Sequence, residues 1–177
     1  MVFRSRKPFL RWTISFDAWT ECIDFSSGSI IFGWTTTNAM AIQFIQWEKP
    51  FPRIEDLMEL YATPWWTQSR TIDQVGIMLQ HSTYLFGLLD DEKDRMVGFA
   101  RVLSDGIFRG ILFDVIIHPD YQSLGLGRRL MEEILAAPCI QGLEVFELYC
   151  KPEHVELYAR FGFYPIAPGL HYLRWKK

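Results

Sequence analysis

The sequence has little of several things, and each shortage excludes a class of protein. Only three cysteines occur in 177 residues: Cys22, Cys139 and Cys150. Widely spaced and odd in number, they form neither a disulfide framework nor a zinc knuckle. That favours a reducing compartment, so the expected setting is cytoplasmic, with no metal. No uncharged apolar run approaches the ~18 residues that cross a bilayer, so no membrane partner is expected. Positive charge is not in excess either: 18 Lys and Arg stand against 21 Asp and Glu, a net charge of −3. Without a basic footprint, broad nucleic-acid binding is disfavoured. Internal repeats and low-complexity segments are missing too. What is present is ordinary globular material, 49% apolar and 22% charged. The length fits one domain with a sizeable core.

The opening of the chain reads differently from the rest. Arg4, Arg6, Lys7 and Arg11 begin it, but no apolar stretch of about 7–15 residues follows, as a secretory signal would require. Asp17, Glu21 and Asp24 weaken a transit-peptide reading. Residues 1–39 are expected to be an extension, with the compact domain running over 40–177. The alternative is that Ile30-Ile31-Phe32 adds an edge strand.

From Ala41 to Trp47 the chain reads as a strand. Ile54, Leu57, Met58 and Tyr61 then fall at i, i+3, i+4 and i+7, the stripe of an amphipathic helix that Pro64 ends. A second helix starts at Thr71, with Gln74 completing a capping-box pattern and Ile72, Val75 and Leu79 as its buried face. The period then switches. Tyr84 to Leu89, Met96 to Leu103 and Ile107 to Ile117 read as strands joined by short turns, an antiparallel meander. A helix is expected from about Gly125 to Ala137, a strand from Val145 to Cys150, and a helix from Glu153 to Arg160. A last hairpin is expected within Phe163 to Trp175. This order indicates a mixed sheet in an α/β or α+β layered architecture.

The most informative stretch runs from Val115 to Leu130. A Val/Ile-rich strand ends at His118-Pro119, and a loop carrying Gly125 and Gly127 opens directly into an amphipathic helix. Glycine allows close backbone approach and positive φ, and free amides at a helix start favour a phosphate. The physics therefore offers an anion site from Gln122 to Gly127, followed by Arg128 and Arg129; a simple tight turn is the competing reading. No Gly-Lys-Ser/Thr ending is present, which excludes a Walker loop. Leu130 stands where a dinucleotide fingerprint needs a small residue.

The full pattern Gln122-x-x-Gly125-x-Gly127, after His118-Pro119-Asp120-Tyr121, resembles motif A of the GCN5-related N-acetyltransferases (GNAT). Leu148-Tyr149-Cys150 with Leu157-Tyr158-Ala159-Arg160-Phe161-Gly162-Phe163 resembles that family's motif B. The resemblance covers roughly Met40 to Trp175. Gly98-Phe99-Ala100-Arg101, Ser104-Asp105, Asp114-Val115 and His118-Pro119-x-Tyr121-Gln122 further resemble the branch holding cyanobacterial and plastid serotonin or lysine N-acetyltransferases.

The resemblance implies a GNAT-like mixed, mostly antiparallel central sheet flanked by helices, with a splay between two central parallel strands. It implies acetyl-CoA as co-substrate, its pantetheine along Val115, Ile116 and Ile117. The pyrophosphate would rest on the amides of Gln122, Ser123, Leu124, Gly125, Leu126, Gly127 and Arg128. Tyr158 would protonate the departing thiolate; the competing reading is a core aromatic. The family's asparagine earlier on that helix is replaced by Pro152, Glu153 and His154. Asp114 is the candidate base, with pairing to Arg101 or a backbone amide as the alternative, and Asp105, His118 and Glu147 behind it. Cys150 reads as a small core residue before a nucleophile. Trp65, Trp66 and Tyr84 would line the acceptor pocket, or else fill core. The expected reaction is acetyl transfer to a small-molecule amine or lysine side chain by direct attack in a ternary complex. A possible homodimer, a protein-lysine acetyltransferase and a catalytically silent acyl-CoA sensor remain open.

Overall fold

The computed structural model describes residues 41–165. The extension expected over residues 1–39, its boundary at Met40 and the part of the last hairpin beyond residue 165 lie outside the described residues.

Five strands form one sheet in the order β1-β2-β3-β4-β5: β1 Ile42–Trp47, β2 Tyr84–Asp90, β3 Arg95–Ser104, β4 Arg109–Ile117 and β5 Val145–Leu148. The first four are antiparallel neighbours, and β5 runs parallel to β4. The expected parallel pair is thus β4 and β5, the last two strands among the described residues.

Both faces of the sheet are covered, which is why β2 and β3 are buried almost without interruption. Helices α1 (Ile54–Tyr61) and α2 (Ile72–His81) cover one face. There Leu57, Leu60, Tyr61, Val75 and Leu79 pack on Leu85, Met96, Phe99 and Ile116. Helix α3 (Leu126–Ala136) covers the other, setting Leu130, Met131 and Ile134 against Phe86, Leu88, Val97, Val102 and Leu112. Each fully buried Leu or Phe contributes roughly 1.5–3 kcal/mol of transfer free energy. The Thr71–Gln74 capping box forms as the sequence indicates. Ile72, expected inside, is 47% exposed, so α2 buries a narrower face.

The expected α3 is slightly shorter, and Pro138 does more than close it. With its N–H dispensable at a helix start, it opens a short helix α4, Pro138–Gln141. The last expected helix splits into a 3₁₀ turn, Pro152–His154, and α5, Val155–Ala159. Strand β5 stops at Leu148, leaving Cys150 exposed rather than in the core.

Candidate active site

Register explains where a cleft opens. Phe99 faces Ile116 and Arg101 faces Phe113, so Ala100 stands opposite two residues, Asp114 and Val115. This is a β-bulge, which bends the bulged strand and breaks regular pairing. Asp114 takes φ +54°, the left-handed region that L-residues seldom enter. On its other side β4 pairs with β5 only from Arg109↔Val145 to Leu112↔Leu148. Beyond Leu112, β4 continues to Ile117 with no second strand beside it among the described residues. Val115, Ile116 and Ile117 thus present one main-chain edge to a splay between the parallel strands, while their other edge is held by β3. Phe113 and Tyr149 meet at its start, ring centroids 6.2 Å apart.

At the end of β4 the chain passes a 3₁₀ turn, Pro119–Tyr121, and enters α3. Gln122 donates its side-chain amide to the Ile117 carbonyl (3.1 Å), tying the loop to the strand end. Ser123 and Gly125 both have positive φ, +62° and +77°. Gly125 occupies the N-cap with no side-chain cap, and the first helical bond is Arg129 N–H to the Gly125 carbonyl (3.0 Å). The amides of Leu126, Gly127 and Arg128 therefore point outward unspent, at the positive end of the helix dipole. A Cβ on Gly125 would touch nothing within 4 Å, and one on Gly127 would meet only Ile117 Cγ1 at 3.7 Å. The glycines leave open a cradle that internal packing does not require. Leu124 is exposed beside it, and the Arg128 side chain turns to Glu132 (2.7 Å), so only its amide faces the cradle.

Tyr121 fastens this loop from below. Its buried hydroxyl donates to Asp90 and accepts from Lys93 Nζ (2.8 Å). Asp90 also accepts the amides of Glu92 and Lys93. The Tyr121 hydroxyl and these amides outweigh burial and hold the Asp90 carboxyl below the ordinary carboxylate range.

On the α1/α2 face, Asp114 is fully engaged. Arg70 donates to both its oxygens (2.8 and 3.1 Å), Arg101 Nε to Oδ2 (2.7 Å), and the Tyr61 hydroxyl to Oδ2 (2.8 Å). Burial opposes ionisation, but the hydrogen bonds and charge of Arg70 and Arg101 prevail, and the carboxyl stays below its ordinary range. Burial and Asp114 push the Tyr61 phenol up. A carboxylate so held is a weak base. The pairing with Arg101 anticipated as the alternative forms, and Asp114 serves as an anchor for the bulge.

The lesser base candidates are also engaged elsewhere. Asp105 accepts the amides of Ile107, Phe108 and Arg109 in the β3–β4 turn. His118 Nδ1 accepts the Asp120 amide, and Glu147 pairs with Arg109 (2.9 Å).

Tyr158 lies on α5, half-buried against Phe163 (6.1 Å). Burial, then the neighbouring Cys150, push its phenol up, so its proton is retained as a donor. Trp65 and Trp66 stay together in the α1–α2 loop, 70% and 47% exposed, which excludes core filling for this pair. Lys151 Nζ stands 5.5 Å from the Trp65 ring centroid, linking that loop to the chain beyond β5. Tyr84 does not join them. It sits with Phe86 in the cluster under α3, on the opposite face of the sheet.

Arg70 and Tyr61 are site residues that sequence reasoning missed. Tyr61 falls on the apolar stripe of α1, and Arg70 precedes the Thr71 cap with nothing in the sequence to single it out. Lys93 lies in the turn between β2 and β3. No local pattern distinguishes any of them.

Several known proteins are similar to this chain. Residues 81–165 match the acetyltransferase (GNAT) domain family. An uncharacterized N-acetyltransferase, ycf52, of Porphyra purpurea is 32% identical over 122 residues, covering 68% of this chain and 70% of that protein. The chloroplastic serotonin N-acetyltransferase 2 of Oryza sativa subsp. japonica is 37% identical over 87 residues, covering 48% of this chain and 44% of that one. Among solved structures, a GNAT-family protein of Xanthomonas campestris pv. campestris superposes with TM-score 0.64 at 29% identity, over 76% of this chain and 94% of that one. A splayed parallel pair, a glycine-opened helix at its end and these likenesses have one common reading: the chain is an N-acetyltransferase of the GNAT family.

Proposed function

We propose that the protein transfers the acetyl group of acetyl-CoA to a primary amine by direct attack in a ternary complex. One observation carries this reading. Beyond the bulge at Asp114, β4 has no pairing with β5, and a short loop leads from that open edge to the uncapped start of α3. Pantetheine amides fit a strand edge, and a pyrophosphate fits unspent helix amides.

In this reading Val115, Ile116 and Ile117 hold the pantetheine by main chain, and residues 122–128 cradle the pyrophosphate. The amine lone pair attacks the thioester carbonyl carbon, the strand amides stabilise the oxyanion, and the C–S bond breaks. Tyr158 gives its proton to the departing thiolate, while the proton shed by the amine passes to water in the cleft. Asp114 fixes the bulge and does not take that proton.

The test is Tyr158→Phe, with CoA release and acetyl-CoA binding measured separately. Turnover should fall about a hundred-fold or more, the scale of a lost general acid. The affinity for acetyl-CoA should change little. Undiminished turnover removes the assignment.

A further inference from the structure

A groove of about 240 Å³ opens on the α2 side of the sheet, lined by Arg70, Gln74, Val75, Met78 and Arg101. Its polar inventory is one-sided. Arg101 commits Nε to Asp114 and lays its guanidinium over the Phe113 ring at 4.7 Å. Among the described residues neither of its Nη groups has a hydrogen bond and no side-chain polar atom is buried without a partner, so these groups are open to the groove that Arg101 lines. Gln74 spends its Oε1 on the Thr71 amide (3.0 Å), and its Nε2 has no partner among the described residues. The acceptors are already used: both Asp114 oxygens are occupied by Arg70, Arg101 and Tyr61. Two guanidinium groups against one carboxylate leave a net positive charge. Val75 and Met78 supply apolar wall.

A site with donors, positive charge and no free acceptor suits a group that only accepts, and a planar guanidinium fork matches a carboxylate. A second ammonium would be repelled there. The groove is also close to the chemistry. Arg101 pairs in register with Phe113, whose ring faces Tyr149 where β4 and β5 part. Arg101 thus stands one interstrand spacing, about 5 Å, from the strand that borders the splay. We infer that the groove receives a carboxylate of the acceptor, so that the substrate class is an amine carrying a carboxylate, such as an amino acid. The inference rests on the acetyl-transfer reading and names the acceptor within it.

Gln74→Glu tests it while leaving the Asp114 cluster intact. Glutamate at this position keeps the capping box, and an acid in the first turn suits the helix dipole, so the variant folds. CoA release is measured for wild type and variant with tryptophan against tryptamine, phenylalanine against phenethylamine, and lysine against cadaverine. The kcat/KM ratio of each acid to its decarboxylated partner should fall about ten-fold or more in the variant, from like-charge repulsion at short range. Differences in free-base fraction between paired amines cancel when variant is compared with wild type. Turnover of amines with ratios unmoved by Gln74→Glu overturns the carboxylate site and leaves acetyl transfer standing. Release of CoA with no amine in the panel overturns the acetyl-transfer reading, and the acceptor assignment with it.

Discussion

Asp114 holds a backbone conformation that costs an L-residue of order 1–2 kcal/mol, and its carboxylate offsets that cost by tying three segments together. Only 6% of its side chain is exposed. Removing one member of a buried ion pair leaves its partners uncompensated, and that typically costs about 3–5 kcal/mol. Asp114→Asn should destabilise the fold by that order in denaturant titration. Asparagine tolerates left-handed φ, so the loss reports charge rather than backbone. The sign with pH follows from the lowered carboxyl. A depressed folded-state pKa contributes stability that is present above the unfolded value, about 3.9, and is lost as pH falls through the folded one. Wild-type stability should therefore drop below about pH 4, with a shallower slope in the Asn variant. Equal slopes would mean that Asp114 is not held ionised.

Helix α3 shows a division between what folds an element and what makes it useful. Gly127 has ordinary helical φ, and a Cβ there meets only a van der Waals contact at 3.7 Å. Gly127→Ala should thus stabilise the protein by about 0.4–1 kcal/mol, because alanine loses less chain entropy on folding. The same methyl fills the cradle above the unspent amides, so acetyl-CoA affinity should fall about ten-fold, roughly 1.4 kcal/mol. Thermal denaturation and calorimetric titration give the two signs separately. Stability and affinity rising together would place the pyrophosphate elsewhere. Gly125 differs, since its φ of +77° is a conformation that side chains resist.

For the whole molecule, a co-substrate that bridges a strand edge and a helix start should stabilise the fold by linkage. At acetyl-CoA about 100 times its Kd this amounts to about 2.7 kcal/mol. The corresponding rise in Tm is roughly 5–10 °C for a protein of this size; no shift at saturating acetyl-CoA would remove the binding site. The sequence by itself determined the parts that depend on near neighbours. The Thr71 cap, the meander, the proline before the loop and the glycine start of α3 are each set by residues within a few positions, through φ preference, hydrogen-bond reach and side-chain period. Alternation also places Tyr84, Phe86 and Leu88 on one face, but which helices cover that face is a question of tertiary packing, and the answer removes Tyr84 from the aromatic pocket. The Asp114 cluster was likewise decided only by the fold. Its partners Arg101, Arg70 and Tyr61 stand 13, 44 and 53 residues away along the chain. Coulomb attraction acts through space, so a carboxylate that reads as a base on its own strand becomes an anchor once two guanidinium groups are folded against it.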